Sequence, residues 1–348
     1  MDRISIIGLD LAKRVFQVHG VNARHEVLVQ KRLSRCELLS WFGKLEPCLV
    51  GIEACATAHY WGRELSRLRH DVRLIPPAYV KPYVRRQKND RVDAAAICEA
   101  VTRPTMRFVA IKTRDQQAIQ VLHRARELLI RQRTQLGNAL RAHLAEFGHI
   151  FPQGPVGMAQ AINTIRESTE DDLPVLARQV LLTLADRLDA LRTEIGDLDR
   201  EMLAWHRANG DSCRLATIPG VGVVTASAIL AALGDGKQFR SGREFAASIG
   251  LVPRQNSSGG KDRLGRISKQ GNPYLRRLLV LGATTQLRGG RREKAPGGEW
   301  FDRLLQRKPA RVATLALANK MARIAWAVLT KGETYRPARD INITSATT

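Results

Sequence analysis

"RISIIGLDL", residues 3–11, is an apolar run with an acid, Asp10, one place from its end. It reads as a short strand, and the stretches around it continue the pattern. "RVFQVHGVN" (14–22) and "HEVLVQKRL" (25–33) are β-rich segments separated by a polar turn around Asn22. Ser34 and Glu37, three apart, form a capping box that predicts a helix through Leu45. "CLVGIEA" (48–54) is a second buried-type strand, carrying Glu53 at its end. A helix is expected over "HYWGRELSRLRH" (59–70), then a strand over "DVRLIP" (71–76), stopped by Pro76 and Pro77. After the basic stretch "KPYVRRQKN" (81–89), a helix should start near Asp90 and run through "DAAAICEAV" (93–101).

Three strands, a helix, a strand, a helix, a strand and a helix is the order of ribonuclease-H-like domains, and an α/β domain of that class is expected over residues 1–110. Residues 111–207 read as a helical, coiled-coil region. Leu184, Leu188, Leu191, Ile195, Leu198, Met202 and Trp205 alternate spacings of four and three, and Leu122, Leu129 and Leu136 lie seven apart. A hairpin within the chain and a contact with another protomer both satisfy that rhythm. The breaker-rich stretch between the two helices, "FPQGPVGMAQ…STEDDLP", reads as a connection. Residues 208–332 form a second, mainly α and very basic domain. It opens on "IPGVGVVTASAIL", whose Gly220-Val221-Gly222 turn matches a helix-hairpin-helix able to approach a phosphate. Residues 333–348 are expected to be a flexible tail.

Composition narrows the function. Lys and Arg number 56 against 33 Asp and Glu, a formal charge of +23, which favours a polyanion partner and salt-sensitive binding. No segment reaches the roughly 18 apolar residues of a membrane span, and the charged start does not resemble a signal peptide. A cytoplasmic protein with no membrane partner is expected. The five cysteines, Cys36, Cys48, Cys55, Cys98 and Cys213, form no C-x-x-C pair. Reduced, mostly buried thiols are expected rather than a zinc site or a disulfide framework.

Two constellations carry chemistry. Asp10 and Glu53 end strands that would lie side by side in such a sheet, and Asp90 and Asp93 share a helix face. Each acid alone reads as a turn residue or a surface ion pair. Together they form a hard-oxygen set suited to Mg²⁺, or Mn²⁺, and two such ions about 4 Å apart clamp a phosphodiester. The second constellation is "RQNSSGGKDRLG" (254–265), with Ser257 and Ser258 among Arg254, Lys261, Arg263, Arg266 and Lys269. No His adjoins it, so a hydrolase triad is not indicated. Read locally, it is a phosphate-contacting loop, and a serine nucleophile is the second reading.

Six segments in order, "IGLDLAK", "GIEAC…HYW", "NDRVDA", "IPGVG", "FAASIGLVPRQNSSGG" and "ISKQGNPYLRRLL", resemble the insertion-sequence transposases described as bridge-RNA-guided recombinases. That family joins a RuvC-like domain bearing a D-E-D-D tetrad to a C-terminal transposase domain. The resemblance implies that Asp10, Glu53, Asp90 and Asp93 are catalytic metal ligands and that Ser258, the serine directly before a glycine, is the nucleophile. The candidate contacts to nucleic acid come from the residues themselves: Gly220 and Gly222 of the glycine turn, and Arg254, Lys261, Arg263, Arg266 and Lys269 around the serines. The resemblance also implies donor and target DNA, a non-coding bridge RNA, and a homo-oligomer, dimer or tetramer, in which the tetrad of one protomer acts beside the serine of another. Two other readings stand beside it: a RuvC-like nuclease or junction resolvase that uses water, and a non-catalytic nucleic-acid-binding protein.

Overall fold

The computed structural model describes residues 3–84, 90–261, 263–287, 292 and 294–337; for Asp90 it describes the backbone only. The chain divides into two compact units, Met1–Arg114 and Asp115–Thr348.

The first unit is built on one mixed sheet. Its elements are β1 (Ile6–Leu11), β2 (Val15–Val21), β3 (Val27–Ser34), α1 (Glu37–Phe42), β4 (Leu49–Glu53), α2 (Ala58–Arg67), β5 (Asp71–Ile75), α3 (Pro77–Val80), a 3₁₀ turn at Lys81–Tyr83 and α4 (Asp90–Val101). The strand order is β3-β2-β1-β4-β5. β1 to β3 form an antiparallel meander, and β4 and β5 add in parallel on the other side of β1. This mixed sheet with helices fits a ribonuclease-H-like domain.

Alternation along the strands divides the core in two. Ile7, Leu9, Phe16, Val18, Leu33, Val50, Ile52 and Leu74 face α1 and α2, packing with Leu38, Phe42, Trp61 and Leu65. The opposite face gives Ile6, Leu49 and Ile75 to Val80, Ala96, Ile97, Ala100 and Val101. The capping box is only half formed. Glu37 accepts from the Ser34 N–H at 2.8 Å and from its hydroxyl at 2.6 Å, and α1 ends at Phe42 rather than Leu45. Those bonds hold the Glu37 carboxyl below its ordinary range.

The second unit begins with α5 (Arg114–Ala145), α6 (Pro155–Glu167) and α7 (Val175–Ala208). Leu140 and Leu144 of α5 pack with Met158, Ala161, Ile162 and Ile165 of α6 and with Leu181, Ala185 and Leu188 of α7. The seam therefore closes within the chain at this end, and the stretch expected as a mere connection supplies a third helix. Pro155 at the first helical position starts α6, and its buried residues repeat at three and four.

The rest is α8 (Gly210–Ala216), α9 (Val223–Leu233), α10 (Gly242–Ser248), β6 (Pro253–Gln255), β7 (Leu264–Ile267), α11 (Pro273–Thr285), α12 (Gly298–Arg307) and α13 (Ala310–Lys331). α9 and α13 form the centre of this mainly helical core. α13 is long and apolar enough to cross a membrane by length and composition. Its apolar run is accounted for by the core, where Leu317, Met321, Ala325 and Val328 are buried. Past Gly332, the Tyr335 N–H donates to Thr217 Oγ1 at 2.9 Å and its ring packs on the same core. The rest of the expected tail, 338–348, lies outside the described residues. The cysteines depart from expectation: Cys48 and Cys98 are buried, whereas Cys36, Cys55 and Cys213 are exposed.

Candidate functional site

The acids of the first unit are placed by strand register. β1 and β4 pair in parallel through Leu9 and Ile52, and one step further come Asp10 and Glu53 on the same sheet face. α4 lies across that face. A Cβ on Gly8 would overlap the Ala94 carbonyl oxygen, and one on Gly51 would stand 2.8 Å from Val101 Cβ. The two glycines let the helix backbone sit directly on the strands that carry the acids. Asp93, half-buried, directly precedes Ala94. Asp90 opens α4, but its side chain lies outside the described residues. Among the described residues no three His, Cys, Asp or Glu side chains close into a metal-binding cluster. The structure brings Asp10 and Glu53 to one sheet face with Asp93 on the helix above it. Three hard-oxygen donors without a His or Cys among them suit a divalent cation, whose charge offsets carboxylate repulsion.

The serine segment of the second unit is a β-hairpin rather than a floppy loop. β6 and β7 pair antiparallel, and the ribbon continues as Asn256 N–H donates to Arg263 O at 2.9 Å. It ends in a bridge between Ser258 and Lys261. Gly259 and Gly260, between them, have φ of +57° and +73°, the left-handed pair that a type I′ turn demands. The two serines then have different roles. Ser257 Oγ accepts from Gln255 Nε2 at 3.1 Å and from the Arg263 N–H at 3.3 Å, tying the ribbon together. Ser258 is exposed at the mouth of the turn, and its hydroxyl has no hydrogen-bond partner among the described residues.

The foot of the hairpin is held rigidly. Arg276 Nη1 donates to Ile249 O at 2.8 Å and to Gln270 O at 2.6 Å, joining the chain entering β6 to the chain leaving β7. Asn272 caps α11 by accepting from the N–H groups of Tyr274 and Leu275. Arg254 is partly engaged, donating to Ser268 O at 3.3 Å. Lys261 and Arg263 are exposed on the ribbon, and Lys269 adopts a φ of +55° at its foot.

Gly220 and Gly222 are dissimilar. Gly220 has a φ of +88°, and a Cβ there would stand 2.8 Å from Gly282 O of α11, so it is required by packing. Gly222 faces open space at the N-terminus of α9.

Residues 212–295 match the sequence family described as "Transposase IS116/IS110/IS902 family". Residues 7–149 match the DEDD domain of IS110 elements, described as "Transposase". A Pseudomonas aeruginosa protein named "Probable family 20 transposase" is 47% identical over 96% of this chain and 99% of its own length. The transposase for insertion sequence element IS1328 of Yersinia enterocolitica is 42% identical over 96% of this chain and 99% of its own. The transposase for element IS1111A of Coxiella burnetii is 41% identical over 97% and 92%.

The chain belongs to the IS110/IS116 transposase family. It is a DNA-cleaving and rejoining enzyme, and its DEDD-type domain implies dependence on a divalent metal.

Within this transposase the sequence reading missed two features. Arg266 and Lys269 line an open, mainly apolar groove of about 1290 Å³ with Val280, Trp300, Val312 and Leu315. The groove's elements are distant in sequence, which hid it, and Lys320 Nζ lies 4.5 Å from the Trp300 ring within it. Burial, then Arg323, holds the Lys320 amine below its ordinary range. The second is a polar network on α5. His123 Nδ1 is 3.0 Å from Tyr274 Oη, and its Nε2 is 3.1 Å from Ser227 Oγ. Ser227 Oγ already donates to Val223 O at 2.7 Å. The Nε2–H therefore donates to Ser227, and Tyr274 donates to Nδ1. Burial, then Arg126, pushes the His123 pKa down to about 4.

Proposed function

We propose that this transposase moves its own insertion sequence by covalent strand exchange, with Ser258 as the nucleophile. The observation that carries this reading is the division of labour in the hairpin: Ser257 is spent on the ribbon, whereas Ser258 is exposed at its tip. In the reaction the Ser258 Oγ–P bond forms as one P–O ester bond of the strand breaks. The serine proton passes through solvent to the departing oxygen, and the reverse attack by a DNA hydroxyl rejoins the strand. Arg254, Lys261 and Arg263 surround that position with charge that offsets what builds on the phosphate oxygens. Asp10, Glu53, Asp90 and Asp93 would hold Mg²⁺, or Mn²⁺, which when bound supplies Lewis-acid stabilisation of the same charge.

Donor and target DNA are the substrates, and the cytoplasm, where the DNA lies, is the place of action. A non-coding bridge RNA from the same element is the guide, a role supported by the resemblance and compatible with the +23 charge. A dimer or tetramer pairs the acids of one protomer with the serine of another. Gly222, Arg266 and Lys269 are further contacts to nucleic acid, and Gly220 shapes the turn that leads into Gly222.

The test is covalent trapping. Wild-type protein incubated with element-end DNA and Mg²⁺ should leave a protein–DNA adduct that survives denaturation and maps to Ser258. Ser258→Ala should give no adduct and no recombination. A fully active Ser258→Ala protein would leave water as the nucleophile.

A further inference from the structure

A second site lies beside Asp10, on the opposite side from Glu53. Asp10 pairs with Gln17 across β1 and β2, and Gln17 pairs with Arg32 across β2 and β3. Directly opposed residues in antiparallel strands project from the same face. Asp10, Gln17 and Arg32 therefore form one cross-strand row, and Glu53 extends it on β4. The turn between β1 and β2 adds Lys13 and Arg14. Asp10, Lys13, Arg14, Gln17 and Arg32 line a hollow of about 380 Å³.

The charges of this hollow are unbalanced. Lys13, Arg14 and Arg32 are exposed, and none has a carboxylate partner among the described residues. Other arginines of the unit do pair: Arg3 with Glu46, Arg67 with Glu64, Arg73 with Asp71, and Arg103 with Glu99. Three cations against the single carboxylate of Asp10 leave the hollow net positive, a field that favours a further anion there. Gln17, half-buried between them, adds an amide that can donate to an oxyanion without adding charge. Strands are spaced by about 4.8 Å, so Arg32 stands about 10 Å from Asp10 across the sheet. A nucleic-acid strand passing over Asp10 meets both.

We propose that Lys13, Arg14, Gln17 and Arg32 form a phosphodiester-binding subsite that seats the DNA backbone next to the phosphate being cut. The proposal rests on the reading of Asp10 and Glu53 as the reacting centre. Its residues position the strand through the neighbouring phosphate; they do not touch the reacting atoms. Guanidinium groups suit this role because they bind phosphate oxygens bidentately. The subsite reads backbone, so its contribution is independent of base sequence.

The experiment uses the full chain and a labelled duplex spanning the junction of the element and its flank, with an RNA of the same sequence as a second probe. Binding is titrated over a range of salt in EDTA, and cleavage is then followed with Mg²⁺. The Arg14→Glu/Arg32→Glu variant should bind the DNA about tenfold more weakly, with the slope of log K on log salt reduced by about two. Apparent KM should rise in the same proportion while kcat at saturation holds. Arg14→Lys/Arg32→Lys, which keeps the charge and loses the bidentate fork, should weaken binding less than the reversal and keep the wild-type salt slope. Should the charge reversal disturb folding, as read by thermal melting, Arg14→Gln/Arg32→Gln takes its place. Unchanged DNA affinity and salt slope would overturn the proposal, as would loss of kcat at constant KM, or weakening confined to the RNA. Asp10→Asn separates the two levels: it should abolish kcat and retain binding. An active Asp10→Asn would remove the reacting centre from this face, and the binding titration alone would then decide whether the subsite exists.

Discussion

Gly8 of β1 and Ala94 of α4 meet backbone to backbone: a Cβ on Gly8 would overlap the Ala94 carbonyl oxygen and stand 2.5 Å from the Cys98 amide nitrogen. Neither neighbour is the yielding end of a flexible side chain, so the helix as a whole must move. Gly8→Ala is expected to lower stability by about 1–3 kcal/mol, the usual cost of overpacking. Because Asp93 lies one residue from the contact, DNA cleavage should fall further than stability alone explains. Thermal melting and cleavage of element-end DNA, measured on the same preparation, check both.

The neighbouring acids give a second prediction. Asp10 and Glu53 project from one sheet face on adjacent strands, and without a cation their charges oppose one another. Asp10→Asn should abolish cleavage while the variant stays folded, with a melting temperature in EDTA within a few degrees of wild type. Mg²⁺ should raise the wild-type melting temperature more than that of the variant. A variant that melts well below wild type in EDTA would show Asp10 to be a structural residue.

Much of the first unit was legible because its strands are short, apolar and separated by strong turn signals. Asp10 and Glu53 could be placed side by side from strand order alone, since parallel pairing of β1 and β4 brings their ends together. What the sequence could not give was the fit of α4, which depends on Gly8 and Gly51 meeting a helix some 45 to 90 residues away. In the second unit, helix α6 was hidden by its flanking prolines and glycines, although Met158, Ala161, Ile162 and Ile165 carry a helical rhythm. Serine and glycine suit linkers, so the serine segment reads as a loop from sequence. Only the pairing of Ser258 with Lys261 across Gly259-Gly260 reveals a turn type that requires those glycines. Gly220 matched a phosphate-binding pattern, and the structure gives it a packing role against Gly282.

That turn yields a third prediction. Gly259 and Gly260 both adopt left-handed conformations, which cost other residues roughly 1–2 kcal/mol each, and Asn less than most. Gly259→Asn should preserve the Asn-Gly form of a type I′ turn and retain recombination. Gly259→Val should lose most activity and lower the melting temperature only by the backbone strain of about 1–2 kcal/mol, since space around Gly259 is open and no packing is lost. Equal activity in the two variants would show that the turn is not what presents Ser258.

Arg276 reaches that hairpin from its foot. One guanidinium nitrogen serves two backbone carbonyls, those of Ile249 and Gln270. Arg276→Met keeps the aliphatic stem and removes both bonds, each worth about 1 kcal/mol or somewhat more when the donor is charged. Amide hydrogen exchange should speed at Ser268, whose N–H pairs with Val252 O, while α13 stays protected. Recombination should fall with the loosening, because this ribbon carries Ser258.

His123 gives the fifth prediction, a pH dependence. It is buried, its pKa is pushed down to about 4, and its nitrogens are committed to Ser227 and Tyr274. In the unfolded chain the same imidazole takes up a proton near its ordinary pKa of about 6.5. Above that value both states are neutral and the network is intact. As pH falls from about 6.5 to about 4, only the unfolded state binds the proton, so folding stability declines across that window and levels off below it. His59, pushed down to about 4 by burial and then by Lys112 and Arg63, acts in the same direction in the first unit. Thermal melts of wild type should therefore fall in this range. His123→Gln should start lower at pH 7.5, because the packed ring and its bonds are altered, and should decline less steeply on acidification. A His123→Gln profile parallel to wild type would assign the acid sensitivity elsewhere.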